Sequence, residues 1–269
     1  MRHKRNTGRW LRGGGVLALG LLVSGLVTGV AGADPVPLAF NNTEPILFAP
    51  DVDDSHLYED VRAGVDALIT VVAVDGDLSD ATVDRGAADI VGDSVFTSGA
   101  FINTRLANTG SAEKFVTYRL DFQDADTGQP VTVSDIAITV KDLDGDGGVL
   151  GEYVEFGGIT QYCVLDKTTT GDITIEPNVG GVAGKYRFSG EKAQSDADAE
   201  RGWVEVFYPA VSSVVVTVGE LAGNGARIAQ SFDAAGWTGT PDCPTVTRPS
   251  YTLTYDANGA TSGTVPSAT

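Results

Sequence analysis

Reactive side chains are scarce in this chain. Its 269 residues include two cysteines, two histidines and one methionine. One histidine, His3, lies in the leader described below, which leaves His56 alone. A Ser-His-Asp site would have to use His56, and no Gly-x-Ser-x-Gly elbow accompanies it. Zinc wants nitrogen and sulfur ligands that are lacking here. No phosphate-binding loop or dinucleotide fingerprint joins a strand to a helix, and Gly219 to Gly225 reads as a hairpin loop. Helical periodicity is missing beyond the leader, and no later apolar run reaches the ~20 residues that a bilayer span needs. Positive charge is short as well: 18 basic residues face 36 acidic ones, a net of −18. So acidic a surface repels nucleic acid and anionic membranes.

What is present begins with export. Met1 to Arg12 carries Arg2, Lys4, Arg5, Arg9 and Arg12 and no acid, Val16 to Val30 is apolar, and Ala31-Gly32-Ala33 precedes Asp34-Pro35. A basic region, a short apolar core and a small-x-small site make residues 1–33 a secretory signal peptide. The competing reading, an uncleaved anchor, asks for a longer apolar run. Cleavage would leave 236 residues with 13 basic against 36 acidic, a net of −23. The expected location is secreted or cell envelope, with no membrane insertion of the mature chain. Cys163 and Cys243 leave no odd thiol, so one disulfide is expected in that oxidising compartment. Loop entropy would make it worth ~4–5 kcal/mol; the alternative is two separate buried thiols.

Strand patterns fill residues 34–239. Leu38-Ala39-Phe40 reads as an edge strand, and Ala67 to Val74 as a buried strand after a turn that begins at Tyr58. Residues 75–110 are loop-rich, with short strands expected near Val95-Phe96 and Phe101-Ile102. Val116, Tyr118, Leu120 and Phe122 alternate with Thr117, Arg119 and Asp121, one face in and one out. From Val131 to Gly157 the pattern is strand, acidic turn, strand, with Ile136, Ile138 and Val140 alternating with Ala137, Thr139 and Lys141 as in a half-buried strand. Short strands follow near Gln161–Leu165, Ile173–Glu176 and Lys185–Ser189. Val204, Val206 and Tyr208 face in with Glu205 outward, Pro209-Ala210 turns the chain, and Val214, Val216 and Val218 continue inward. The last strand spans Ala226 to Phe232. Many short strands with Gly, Asp and Pro turns predict an all-β fold, an antiparallel, jelly-roll-like β-sandwich. Residues 240–249 read as a linker by composition.

Chemistry concentrates in the acidic turn. Asp142, Asp144 and Asp146 stand at every second position among glycines. Calcium takes six to eight hard oxygens, and this spacing can fold three of them round one ion. An EF-hand does not fit, because the twelfth place is Tyr153 and the flanks read as strand. A calcium-binding hairpin loop and a solvated acidic turn remain the two readings. Further clusters are Asp51/Asp53/Asp54, Asp75/Asp77/Asp80, Asp121/Asp124/Asp126 and Asp196/Asp198/Glu200; the third could close on the acidic turn if their hairpins are neighbours. Tyr153, Tyr162, Trp203, Tyr208 and Trp237 form either a sugar-stacking platform or core. A glycosidase needs two carboxylates facing one bond, and nothing marks such a pair.

Two resemblances follow. Residues 250–269 run Tyr251-Thr-Leu-Thr-Tyr255-Asp256-Ala-Asn258-Gly259-Ala260, then Val265-Pro266. A strand entering an Asn-Gly turn signals a hairpin. The stretch resembles the opening of the Listeria–Bacteroides repeat (the internalin B-repeat type), a small module of surface proteins. Leu253 takes the family's Val place, Ala260 replaces its second Gly, and the match stops inside a repeat, a partial β-hairpin repeat that is either truncated or decayed. The main domain also resembles a secreted β-sandwich of bacterial surface proteins, through Gly64 to Thr70, the Asp142-Leu143-Asp144 turn leading to Glu152–Phe156, and Tyr208 to Gly219 as a late hairpin. The function these features imply is non-enzymatic: adhesion, display or binding at the cell surface, towards an envelope, glycan or host-surface component, with calcium as the sole expected cofactor. The alternatives are a carbohydrate-binding module of a larger secreted glycoside hydrolase and, third, a stand-alone glycosidase.

Overall fold

The computed structural model describes residues 35–40, 47–76, 78–79, 81–83, 101–106, 112–141, 143, 145, 151–165, 172–192, 200–221, 227–231 and 235–246. Its strands are β1 (Leu47–Phe48), β2 (Ser55–Arg62), β3 (Val65–Asp75), β4 (Thr82–Val83), β5 (Phe101–Arg105), β6 (Lys114–Asp124), β7 (Val133–Lys141), β8 (Glu152–Gly157), β9 (Gln161–Leu165), β10 (Ile173–Pro177), β11 (Lys185–Gly190), β12 (Val204–Val211), β13 (Ser213–Glu220), β14 (Arg227–Ser231) and β15 (Pro241–Asp242). They form two antiparallel sheets. One has eight strands in the order β1-β4-β5-β14-β7-β12-β9-β15, the other seven in the order β10-β11-β8-β13-β6-β3-β2. A single buried cluster draws Ile138, Val140, Val204 and Val206 from the first sheet and Val116, Tyr118, Val216 and Val218 from the second. The fold is therefore the sandwich that the alternating patterns predict.

The inward alternation holds best on β6, where Val116, Tyr118, Leu120 and Phe122 are buried and Arg119 is exposed. It fails on β7. Ala137 and Thr139, expected outside, are as buried as Ile136 and Ile138. β7 lies between β14 and β12 in mid-sheet, and small side chains on its outer face allow other chain to pack over them. β8 departs likewise, with Glu152 and Glu155 buried beside Val154 and Phe156. Glu205, expected to be solvated, is 4% exposed.

The hairpins predicted around β7–β8 and at Tyr208–Gly219 are not hairpins. β7 belongs to the eight-stranded sheet and β8 to the seven-stranded one, and β12 and β13 divide in the same way. Each connection is an arch from one sheet to the other. β13 and β14 also lie in different sheets, so Gly219–Gly225 does not join a hairpin pair. Pro209 does not turn the chain: β12 pairs with β7 through Val211. Its pairing with β9 stops at Phe207, so a residue without an N–H falls where one side of the strand is free, as proline requires. The turn predicted at Tyr58 is strand, and the chain reverses instead between Arg62 and Val65, where Gly64 takes a positive φ of 72°.

Two other segments differ from expectation. Leu38 and Phe40 are buried but belong to no strand; Ala39 N donates to Val61 O and Val36 N to Asp135 O, so this stretch bridges the two sheets. The predicted linker is docked rather than free as far as Val246. Pro241 and Asp242 pair with Leu165 and Val164, Thr245 bridges Gln161, and Cys243 is disulfide-bonded to Cys163.

Candidate functional site

The acidic turn joins β7 of the eight-stranded sheet to β8 of the seven-stranded one. Asp142, Asp144 and Asp146 lie outside the described residues. The residues between and beyond them show how the arch is braced. Leu143 is fully buried, with its N–H donating to Gly202 O. Gly145 bridges Gly151 and donates to Lys192 O. A Cβ on Gly145 would fall 2.3 Å from the Gly190 carbonyl oxygen, so only glycine fits there. Next in the chain comes Glu152, on the core side of β8. It pairs in register with Glu220, which pairs with Lys114, and all three are buried. Two carboxylates and one ammonium thus line the interior next to the arch. Among the described residues, no three His, Cys, Asp or Glu side chains gather as a metal site.

The Asp121–Asp126 cluster cannot close on this arch. Its turn sits by the start of β7, where Gln123 bridges Pro130, and the arch leaves the far end, nine residues on, or roughly 27–30 Å. The cluster has local roles instead. Asp121 takes both its bonds from Arg119 Nε. Asp124 accepts from Thr127 N and Oγ1, and these bonds, the hydroxyl's first, hold its carboxyl below the ordinary range. Asp51 and Asp54 likewise cap their own loop, Asp51 N donating to Asp54 Oδ2.

The outer face of the seven-stranded sheet carries an ion-pair network that sequence reasoning missed. Glu155, 4% exposed, is held by Arg187 at 2.7 Å and Lys185 at 2.5 Å. Arg187 also lies over the Tyr153 ring, 4.0 Å from its centroid, and Tyr153 Oη donates to Glu113 at 2.8 Å. Burial, then the Glu113 bond, pushes the Tyr153 phenol far above its usual value. The ring rests on Gly219, its register partner on β13, and a Cβ there would meet Tyr153 Cζ at 2.1 Å. Gly219→Ala should therefore displace the ring and the Arg187 above it, costing about 1–3 kcal/mol. Chemical denaturation reads this directly, and an unchanged midpoint would contradict the packing. Nearer β2 the same face is open, with Val215, Arg119 and Leu57 exposed.

Residues 235–239 dock on the outer face of the eight-stranded sheet, and residues 241–246 run along its β9 edge. Ala235 N and Trp237 Nε1 donate to the two oxygens of Glu205 at 2.8 and 2.9 Å. Thr238 N and Oγ1 and Gly239 N donate to Glu200 at 2.7–3.0 Å. Trp237 packs against Trp203 at 5.7 Å between centroids, and Lys141 Nζ stands 4.6 Å over the Trp203 ring. The disulfide and the bond from Gln161 Nε2 to Cys243 O complete the clasp. The burial of Glu205 is explained here: its charge is met by donors 30 and 32 residues away in the chain.

Glu200 should make the clasp pH-sensitive. Burial raises its pKa, but the Thr238 hydroxyl and the two amides outweigh that and hold it below the ordinary 4.5. A depressed carboxylate pKa stabilises the docked state above the unfolded value and loses that contribution as pH falls through the folded one. Trp237 fluorescence should hence be flat above pH ~5 and change as the solution is acidified below about 4.5. Glu200→Gln should remove the transition; a transition that survives in the variant would assign it to another group.

The aromatic platform is not assembled. Tyr153, Tyr208 and Trp203 are buried; Tyr162, half-buried, meets Tyr186 and Phe188 ring to ring. Trp237 is half-buried.

No protein-family model matches the chain, and no curated protein matches it. Among solved structures, the N-terminal domain of a Streptococcus gordonii adhesin is similar at 9% identity and a TM-score of 0.40, covering 76% of this chain and 61% of that one. Glucan Binding Protein C of Streptococcus mutans is similar at 13% identity and a TM-score of 0.36, covering 69% of this chain and 57% of that one. The chain thus spans about three-fifths of the length of each.

Proposed function

We propose that this is an exported cell-surface protein whose sandwich serves adhesion or display rather than catalysis. The observation that carries the reading is the Cys163–Cys243 bond, a bond that persists in oxidising compartments, in a chain that opens with a basic, apolar, small-x-small leader. The C-terminal resemblance to a surface-protein repeat points the same way. The contact surface on this reading is the open half of the seven-stranded sheet, around Val215, Arg119 and Leu57. The test is labelling of intact cells with a membrane-impermeant reagent against an epitope inserted at the exposed turn Asp126–Gly128. Labelling without permeabilisation is the expected result, and protection until lysis would overturn it.

The ligand class on this reading is an envelope or host-surface component, glycans included. A glycan array on the purified protein separates the options. Binding abolished by Trp237→Ala would favour the carbohydrate-binding alternative, since Trp237 is the half-buried tryptophan of the clasp. Turnover of aryl glycosides would instead identify a glycosidase. Calcium belongs to the same proposal, at Asp142, Asp144 and Asp146. The glycine-braced arch, and the Glu152–Glu220 pair behind it, support an acidic position there. Calorimetric titration should show heat that Asp144→Ala removes, and saturation at 100 times Kd should add about 2.7 kcal/mol of stability. No heat at millimolar calcium would leave the solvated-turn reading.

A further inference from the structure

We infer that the Cys163–Cys243 clasp is a mechanical bypass: tension reaching the domain from its C-terminal side crosses the disulfide to β9 and, through it, to the interior strand β8, instead of peeling residues 235–246 from the sheet. The inference rests on the display reading for its purpose, since a displayed domain is pulled between its ends, but its geometry stands alone.

The two ends of the described sandwich lie at the same end of the eight-stranded sheet. Val36 N donates to Asp135 O near the start of β7, and Val246 N donates to Thr160 O. Thr160 N in turn donates to Phe207 O, and Tyr208 pairs with Ile136. Val36 and Val246 are thus separated across the strands, by roughly 20 Å at four strand spacings. A pull between them runs perpendicular to the strands. In that geometry ladder bonds open singly, from the edge, rather than sharing the load in shear.

The edge at which such a pull arrives is weak. β15 pairs with β9 at two positions, and the rest of the segment adds the Thr245 bridge and the Val246, Cys243 and Tyr162 backbone contacts. Without a cross-link, a peel starting at Val246 would run back through the segment to Ala235 and strip Glu205 and Glu200 of their donors. With the disulfide closed, it stops at Cys243. Load then passes to Cys163 on β9, which its pairs with β12 and the Thr160 N bond to Phe207 O hold in the sheet, and beyond them through Gly158 to β8. Everything between the cysteines, β10 to β15 included, is inside a covalent loop and carries no tension.

β8 is well placed to receive that load. It is paired with β11 at five positions and with β13 at five more, and both neighbours belong to the tension-free loop. Glu155 ties it sideways to Lys185 and Arg187 on β11, and Tyr153 ties it to Glu113. The ion-pair network on the open sheet face is thereby joined to the clasp on the opposite face: both act on one load path.

Single-molecule force spectroscopy on the chain from Asp34 to Thr269, with handles at both ends, tests this. The oxidised protein should lack any step that releases residues 235–246, whatever steps the N-terminal edge strands β1 and β2 contribute in both states. Its final extension should be shorter than that of the reduced protein by about 290 Å, the 80-residue separation at ~3.6 Å per residue. Reduction, or the Cys163→Ser/Cys243→Ser pair, should introduce an early low-force step of about 40 Å as residues 235–246 leave the sheet. Reducing a single oxidised molecule while it is held under load keeps the comparison valid even if the serine variant folds poorly. Glu155→Gln should lower the main rupture force of the oxidised protein and leave the early step of the reduced one unchanged. A reduced molecule that shows no step of about 40 Å beyond those of the oxidised one would overturn the bypass. Cell-surface labelling bears on display alone, so a failure of either reading is seen separately.

Discussion

Reduction of the Cys163–Cys243 disulfide should lower the melting temperature of the domain by about 10 °C. The bond closes a loop across an 80-residue separation, for which restriction of the unfolded chain amounts to about 4–5 kcal/mol. In a domain of this size each kcal/mol moves the midpoint by about 2–4 °C. The native state loses something too. Freed from Cys163, the segment over the eight-stranded sheet is held by the two glutamates and by β15, and its departure would expose Glu205 and Trp203. Calorimetric scans with and without reductant, at pH 7, make the measurement. A shift of under 2 °C would mean that the segment stays docked and that the unfolded chain is already compact.

Glu155→Ala should cost about 3 kcal/mol, at the low end for breaking a buried ion pair because its cations are partly solvated. The carboxylate is buried while Lys185 and Arg187 are 32% and 20% exposed at the side chain. Deletion leaves two cations facing each other on β11 without the charge that drew them together. Arg187→Ala should cost less, about 1–2 kcal/mol, since Glu155 keeps Lys185, although Tyr153 loses the guanidinium over its ring. The double variant should then be less destabilised than the two single effects summed, a coupling that a double-mutant cycle reads. Strict additivity would show that the pair contributes nothing beyond its separate packing.

The sandwich was legible because β6 and β13 have one face in the core, and their alternation is the imprint of that face. The same logic misled on β7 and β8. Ala137 and Thr139 are small and weakly polar, so a second buried side looked like a solvated one. Glu155 and Glu205 looked like surface charges because their partners come from far along the chain: the Arg187 guanidinium, 32 residues on, and the Trp237 indole N–H, 32 residues on. No local pattern records such a partner. Sheet membership was equally hidden, since strand-turn-strand is the same string whether the chain folds back as a hairpin or arches over to the opposite sheet. Cysteine count was the better guide, needing no geometry: two thiols, one bond. Of the acidic turn, Gly145 carried a readable signal, for a glycine between aspartates is the residue that a close backbone approach demands.

The arches that carry the chain from sheet to sheet also govern the order in which the protein can form. Because β7 and β8, β12 and β13, and β13 and β14 are not paired with one another, most ladders join strands made at very different times. Thr117 on β6 meets Thr217 on β13 across 100 residues, and both strands lie at the centre of their sheet. A chain emerging from its N-terminus cannot complete that sheet until β13 has appeared. Dominance by such non-local pairings places folding in the millisecond-to-second range or slower, and keeps half-made sheets with bare edges until the last third of the sequence arrives. The seven-stranded sheet thus closes only once β13 has been made, and a chain stopped before Ser213 should stay open.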